Sequence, residues 1–242
     1  MSAPAPDAAR GAERADGPSG AELDHLVVAA ATLEQGAAWC ERVFGVAPAA
    51  GGRHPHMGTH NLLLAIGSAA FARSYLEIIA IDPQGRAPAR PRWFGLDEPA
   101  LQAALQRQPR LLHLVARCRG IDALLARLRA LGVEPGDAVA AERVGAQGRL
   151  RWRIAGRSDG RLLYDGALPT LIEWDGPHPA AQLPASGVGL SALQLGGLPA
   201  ALADALGLPG VARSAQGTAL AARFTTPRGE VQLAGGWPAP PR

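Results

Sequence analysis

The chain has 242 residues, enough for one large domain or two small ones, and nearly half of them are apolar, so a sizeable core can form without disulfides. Its net charge is only +3, and its 24 basic residues, all arginine, are spread along the chain instead of forming a stripe, which argues against nucleic acid as a partner. No stretch reaches the roughly 18 apolar residues that span a bilayer, so no membrane partner is expected. Residues 1–20, rich in Ala, Pro, Gly and charge but without an apolar centre, read as a disordered tail and not as a secretion signal.

The first predicted element is a buried strand, Glu22 to Ala30, carrying one imidazole, His25. Thr32 is placed to cap a helix over Leu33 to Phe44, whose Leu33, Ala37, Cys40, Val43 and Phe44 recur at helical spacing, and Gly45 is placed to end it. Residues Gly51 to Asn61 read as a Gly-rich polar loop holding His54, His56 and His60. A His-x-His pair on such a loop is a weak metal signal, and solvated histidines are the stronger reading; His60-Asn61 could instead line the cavity mouth and hydrogen-bond substrate. Strands are expected over Leu62 to Ile66 and Ser74 to Ile81, the second carrying Glu77. The run to Arg92, rich in Pro and Arg, reads as an extended connector, and Asp97 as the cap of a short helix over Glu98 to Gln108.

The same order then returns. A strand over Leu111 to Cys118 carries His113, a helix covers Ile121 to Leu131, and a loop runs to Gly148. The strand Leu150 to Ile154 alternates apolar and polar residues, and a strand over Thr170 to Trp174 carries Glu173. Alternation puts Arg151 and Arg153 on one face, opposite Trp152, where one of them could clamp a substrate carboxylate; the bland alternative makes this Arg run a solvated outer face. Trp174, next to Glu173, is expected under a helix. A shorter third copy follows: strand Val188 to Leu195, helix Pro199 to Leu206, and strands Ala219 to Phe224 and Glu230 to Ala234, with Ala192 where the other copies have histidine. Residues 237–242 are expected to fray. Cys40 and Cys118 look like small buried hydrophobes, a sparse usage that fits a reducing, cytoplasmic setting.

Internal repetition of this kind predicts an α+β fold. Tandem βαβββ modules, 21–82 and 110–176, form a cupped, barrel-like mixed sheet with flanking helices, joined by a connector over 83–109, with a degenerate C-terminal module over 185–235. Two neutral imidazoles and two carboxylates suit Zn, Ni, Fe, Mn or Co in a site with open positions, but His25 to Glu77 and His113 to Glu173 are too far apart for one local motif and converge only if the modules face each other. Taken singly, His25 is more simply a satisfied core histidine, whereas a glutamate inside an apolar strand must be paired, ligated or turned to solvent.

The strand Leu23 to Val28, the helix with Trp39-Cys40-Glu41-Arg42 and the strand Tyr75-Leu76-Glu77-Ile78 resemble the first module of the vicinal-oxygen-chelate superfamily. Gly52-Arg53-His54-Pro55, Gly58-Thr59-His60-Asn61, Pro91 to Leu96 and Leu171-Ile172-Glu173-Trp174 are similar to its bacterial glyoxalase-like domain group, over about residues 21 to 235. The resemblance implies a divalent metal held by His25, Glu77, His113 and Glu173, with Glu173 or Glu77 as the base and a small oxygenated metabolite as the substrate. It implies a lyase or isomerase; an extradiol-type dioxygenase would use two His and one Glu. A metal-free small-molecule-binding protein on the same scaffold and a dimerisation module with a vestigial cavity are the rival readings, with a homodimer open as the assembly.

Overall fold

The computed structural model describes residues 20–145 and 148–237. The expected tail, apart from residue 20, and the expected frayed end beyond residue 237 lie outside the described residues. The elements are β1 (Glu22–Ala29), α1 (Leu33–Phe44), β2 (Ala49–His54), β3 (Thr59–Ala65), β4 (Tyr75–Ile81), α2 (Pro99–Leu105), β5 (Arg110–Arg117), α3 (Ile121–Ala130), β6 (Asp137–Gly145), β7 (Gly148–Gly156), β8 (Thr170–Asp175), β9 (Gly189–Gly196), α4 (Ala200–Leu206), β10 (Val211–Ser214), β11 (Leu220–Thr226) and β12 (Gly229–Gly235). The fold is α+β, with the first eight strands in one curled mixed sheet.

Local sequence explains several boundaries. Thr32 accepts the Gln35 N–H at 3.1 Å to start α1, and Gly45, in the left-handed region at φ 77°, ends it. Trp39, Cys40 and Phe44 are the buried face of α1. The Gly51–Asn61 stretch is not a loop. It forms most of a hairpin, β2 and β3, because a register shift between Ala50 and Arg53 absorbs the glycines as a bulge. The expected loop before Gly148 is largely strand, β6 pairing with β7 from Asp137–Gly156 to Gly145–Gly148. Asp97 does not cap α2; its carboxylate instead accepts from the Arg92 backbone N–H at 2.7 Å and from the Arg92 guanidinium.

The large sheet runs β2-β3-β4-β1-β5-β8-β7-β6, with β1 parallel to β4, β5 parallel to β8, and the two halves joined by the antiparallel β1–β5 pair. It curls until its two edges approach, with Gly52 of β2 beside Arg143 of β6. The last four strands form their own sheet, β10-β9-β11-β12, and Ala192 is exposed there. This sheet packs with α1, α3 and α4 on the convex side, where Phe44 meets Phe224 edge-on at 5.1 Å.

The concave side is filled partly by the connector, which is not simply extended. Its 3-10 turn Trp93–Gly95 and helix α2 push Phe94, Leu96, Leu101 and Leu105 into the cup against Val27, Ile79, Val115 and Ile172. Phe94 takes φ 58°, ψ 20°, a conformation unfavourable for a bulky side chain. Burying an aromatic ring is worth about 1.5–3 kcal/mol, enough to hold it there.

Candidate active site

The cup floor is built on β1. A register shift between Leu23 and His25 lets Asp24 and His25 work together. Asp24 is wholly buried and accepts three N–H groups: His25 Nδ1 at 2.7 Å, Trp174 Nε1 at 2.8 Å and His178 Nε2 at 2.8 Å. His178 Nδ1 accepts the Ala180 N–H, which leaves its Nε2 as the donor toward Asp24. Tyr75 stacks on the His25 ring at 4.6 Å. On the other side of the ring system, His25 Nε2 lies 3.5 Å from Glu77 Oε2. Glu77 Oε1 accepts from Asn61 Nδ2 at 2.5 Å, and that amide also faces His54 Nε2 at 3.5 Å, while His54 Nδ1 bonds Thr59 Oγ1 at 3.0 Å.

The glycines of the bulged β2 strand make this possible. A Cβ on Gly51 would lie 2.0 Å from Asn61 Oδ1, and one on Gly52 would lie 2.4 Å from an Arg143 nitrogen. The Gly52 N–H then donates to Asn61 Oδ1 at 2.8 Å, fixing the amide so that its NH2 group points at Glu77.

The electrostatics follow from this pairing. Burial alone would push the His25 imidazole down, but hydrogen bonds to Asp24 and Glu77 outweigh it and raise its pKa to about 9. Burial pushes the Asp24 and Glu77 carboxyls up, and their histidine partners more than reverse this, holding both below the usual range. His54, buried without a carboxylate bonded to it, is pushed down to about 4. The floor therefore carries two carboxylates around one imidazolium, with a neutral imidazole beside them. His25, Glu77, Asn61, Trp152, Ile172 and Trp174 are among the walls of a space of about 40 Å³, which shares His54, Trp93, Trp152 and Ile154 with a mouth of about 320 Å³.

The other expected positions lie elsewhere. His113 opens on a neighbouring space of about 50 Å³ that shares Met57, Arg90, Trp93 and Ile154 with the same mouth, and Phe94 packs on its ring at 5.3 Å. Both of its ring nitrogens are taken: Nδ1 faces the Gly166 carbonyl at 2.9 Å, and Nε2 accepts the Thr170 N–H at 3.1 Å. Glu173 lies on the opposite face of β8, at α3, where its carboxylate accepts the Gly120 N–H and pairs with Arg153 at 3.4 Å. Trp174, expected under a helix, occupies the cup instead. Arg153 also pairs with Asp122 at 2.7 Å and Arg151 with Asp175 at 3.1 Å, both on the outer face. His60 alternates away from Asn61 and feels the charges of Asp82, Arg53 and Glu34, and His56 is exposed beside the mouth. Glu173→Gln is expected to cost less than about 1 kcal/mol in a urea melt, as for a largely surface ion pair.

Residues 23–207 match the model of the glyoxalase-like domain family. The chain belongs to that family. It is thereby a member of the vicinal-oxygen-chelate superfamily. A hypothetical protein from Staphylococcus aureus shares the fold at 12% identity and a TM-score of 0.52, over 89% of this chain and 86% of the other. Methylmalonyl-CoA epimerase from Mycobacterium tuberculosis is 19% identical over 68% of this chain and 93% of its own, with a TM-score of 0.37. The Streptomyces coelicolor epimerase bound to 2-nitronate-propionyl-CoA is 18% identical over 65% of this chain and 100% of its own, with a TM-score of 0.41. No curated protein matches the chain.

Members of this superfamily often use divalent metals. In this glyoxalase-like chain the residues present do not fit the two-His, two-Glu set, nor the two-His, one-Glu set of a dioxygenase. His25 and Glu77 share a space, but His113 has no free nitrogen lone pair, and Glu173 is across the sheet. Among the described residues no three His, Cys, Asp or Glu side chains are arranged to hold a metal ion.

Asp24, Trp174 and His178 are site residues that sequence reasoning missed. Asp24 directly precedes His25 in an apolar strand, which was a usable signal; His178 lies in a linker and carried none. The pKa shifts also set the pH profile of stability. His25 is raised, so its contribution is complete below about pH 6.5 and is lost as pH rises through about 9. His54 and His113 are lowered to about 4, mainly by burial, so their contribution is complete above about pH 6.5 and is lost as pH falls toward 4. Melting temperature is expected to peak near pH 6.5, and His25→Gln to flatten the alkaline limb.

Proposed function

We propose that this protein is an enzyme of the isomerase or lyase type that moves a proton next to a carbonyl group of a small oxygenated metabolite, with His25 as the acid and Glu77 as the base. The observation that carries this reading is the buried Asp24–His25–Glu77 array at the closed end of the cup. Asp24 orients the imidazolium through Nδ1, leaving Nε2 to face the cavity. The His25 Nε2–H gives its proton to the carbonyl oxygen while the Glu77 carboxylate takes the proton from the adjacent carbon. The products are a neutral enol, a neutral imidazole and a neutral carboxylic acid, so the step creates no net charge in a dry site. Where the carbon that lost its proton bears a hydroxyl, Glu77 returns the proton to the former carbonyl carbon while the neutral His25 takes the hydroxyl proton, which completes an isomerisation and restores both groups. Asn61 holds Glu77, and the apolar wall of Trp152, Ile172 and Trp174 excludes water.

A second reading, a metal-free small-molecule-binding protein, is favoured by one feature: His25 and Glu77 already satisfy each other, above a floor of only about 40 Å³. Proton NMR in D2O over a panel of small carbonyl acids and ketones separates the two. Catalysed loss of the C–H signal next to a carbonyl supports the enzyme. Ligand-dependent stabilisation with no exchange for any bound compound supports the binder. Cys40 and Cys118 are both buried and unpaired, which accords with the cytoplasmic setting that we also propose.

A further inference from the structure

We infer that the molecule taken by this cup is a small carboxylic acid, and that Arg143 is the residue that binds its carboxylate. This names the substrate class of the site proposed above and rests on that reading for the position of the reacting carbon.

Two cations at the cup lack an ion-pair partner among the described residues, Arg90, which meets the Met57 sulfur at 3.8 Å at the outer mouth, and Arg143 at the floor; the others are engaged. Arg149 pairs with Glu142, Arg151 with Asp175, Arg153 with Asp122 and Glu173, Arg157 with Asp159, and Arg161 with Glu98. They alternate with Trp152 along β7 or lie in the turn that follows, so neutralising them does not involve the cavity. Arg143 differs from Arg90 in reaching the floor space itself. On β6 it shares the face of Ala141, which is paired with Trp152, and so it points to the cup. It is half-buried, it lines the same 40 Å³ space as His25 and Glu77, and it has no ion-pair partner among the described residues. Its position depends on Gly52, since any β-carbon there would collide with the guanidinium.

A half-buried guanidinium with no carboxylate partner can take the two oxygens of an incoming carboxylate. The two buried carboxylates of the floor do not serve: Asp24 is saturated by three N–H donors, and Glu77 is held by His25 and Asn61. A second donor belongs to a residue that lines the same space. Trp93 Nε1–H is buried without a hydrogen-bond partner, and its ring lines both the floor and the mouth. A guanidinium and an indole N–H beside an acid–base pair match a compact molecule with a carboxylate at one end and an ionisable C–H next to a carbonyl at the other. The small floor favours the flat carboxylate over a tetrahedral phosphate.

Isothermal titration of the full-length protein with sodium 2-oxobutyrate and malonate, with 2-butanone as the neutral control and inorganic phosphate as the alternative anion, tests this. The carboxylates are expected to bind and 2-butanone to bind at least tenfold more weakly. Arg143→Gln should weaken carboxylate binding about 10- to 100-fold, the worth of one charged hydrogen-bonded contact. Arg143→Lys should recover part of the loss. Arg90→Gln, at the outer mouth, should bind as the wild type does. Equal carboxylate binding by wild type and Arg143→Gln, no carboxylate binding at all, preference for phosphate, or a larger loss in Arg90→Gln would each overturn the assignment. Folding of the variants is checked by their melting temperatures, and Gly52→Ala, which displaces the guanidinium without removing it, should mimic Arg143→Gln. Proton exchange is read separately: Arg143-dependent binding without exchange keeps this inference and removes the catalytic reading, whereas exchange that is indifferent to Arg143 does the reverse.

Discussion

Asp24→Asn is expected to destabilise the protein by about 3–5 kcal/mol, the cost of breaking one partner out of a buried charged array. The substitution keeps the shape and removes the charge. Three N–H groups now converge on two carboxylate oxygens, from His25, Trp174 and His178. An asparagine offers one oxygen, and its NH2 group must face either the Trp174 and His178 donors or His25 Nδ1, which has to give up its proton to accept it. The His25 imidazolium also loses its closest anion. The effect reaches beyond the floor, because Trp174 and His178 belong to the end of the second half-sheet and its exit, some 150 positions from Asp24, so the carboxylate ties the two halves together. Chemical denaturation with a urea midpoint reads the loss; a change below about 1 kcal/mol would mean that the array contributes specificity and not stability. The His25 titration should move down at the same time, since burial then acts on it with less opposition.

Glu77→Gln is the second large effect, and it is on chemistry. Glutamine fills the same volume and still accepts from Asn61, so the fold should survive with a modest penalty. It cannot take a proton. If Glu77 is the base, exchange next to the carbonyl should fall by about 10²–10⁴-fold, the usual worth of a positioned general base. Carboxylate binding through Arg143 should persist. The same variant removes one of the two carboxylates that raise His25, so the imidazole should titrate lower than about 9 in a histidine NMR titration. Retained exchange in Glu77→Gln would sink the assignment of the base, and an unmoved His25 titration would sink the pairing.

Much of the fold was legible in the residues. The α1 helix reads from Thr32 to Gly45 because its signals are local: a capping hydroxyl, an apolar stripe and a left-handed glycine. The strand–helix–strand order of both halves reads for the same reason. The β2 and β6 strands did not read, since a Gly-rich bulge and an Ala-rich run have little strand propensity of their own and are strands only through their partners β3 and β7. The connector's role as a wedge was also hidden, because Trp93 and Phe94 look like any apolar pair until the cup around them exists.

For the site, the sequence by itself determined that His25 and Glu77 are embedded in apolar strands, where each must find a partner. Tertiary structure decided which partners they find. A side chain's face in a strand depends on period-two alternation, and a shift of one position sends it to the other side of the sheet. Glu173 is one position away from the cup-facing Ile172 and Trp174, so a residue that looks equivalent to Glu77 ends against α3. His113 sits at a register shift in β5 and is taken up by the Gly166 to Thr170 segment. Asp24, His178 and Arg143 come to the floor only through contacts between distant strands and linkers, which no local spacing records.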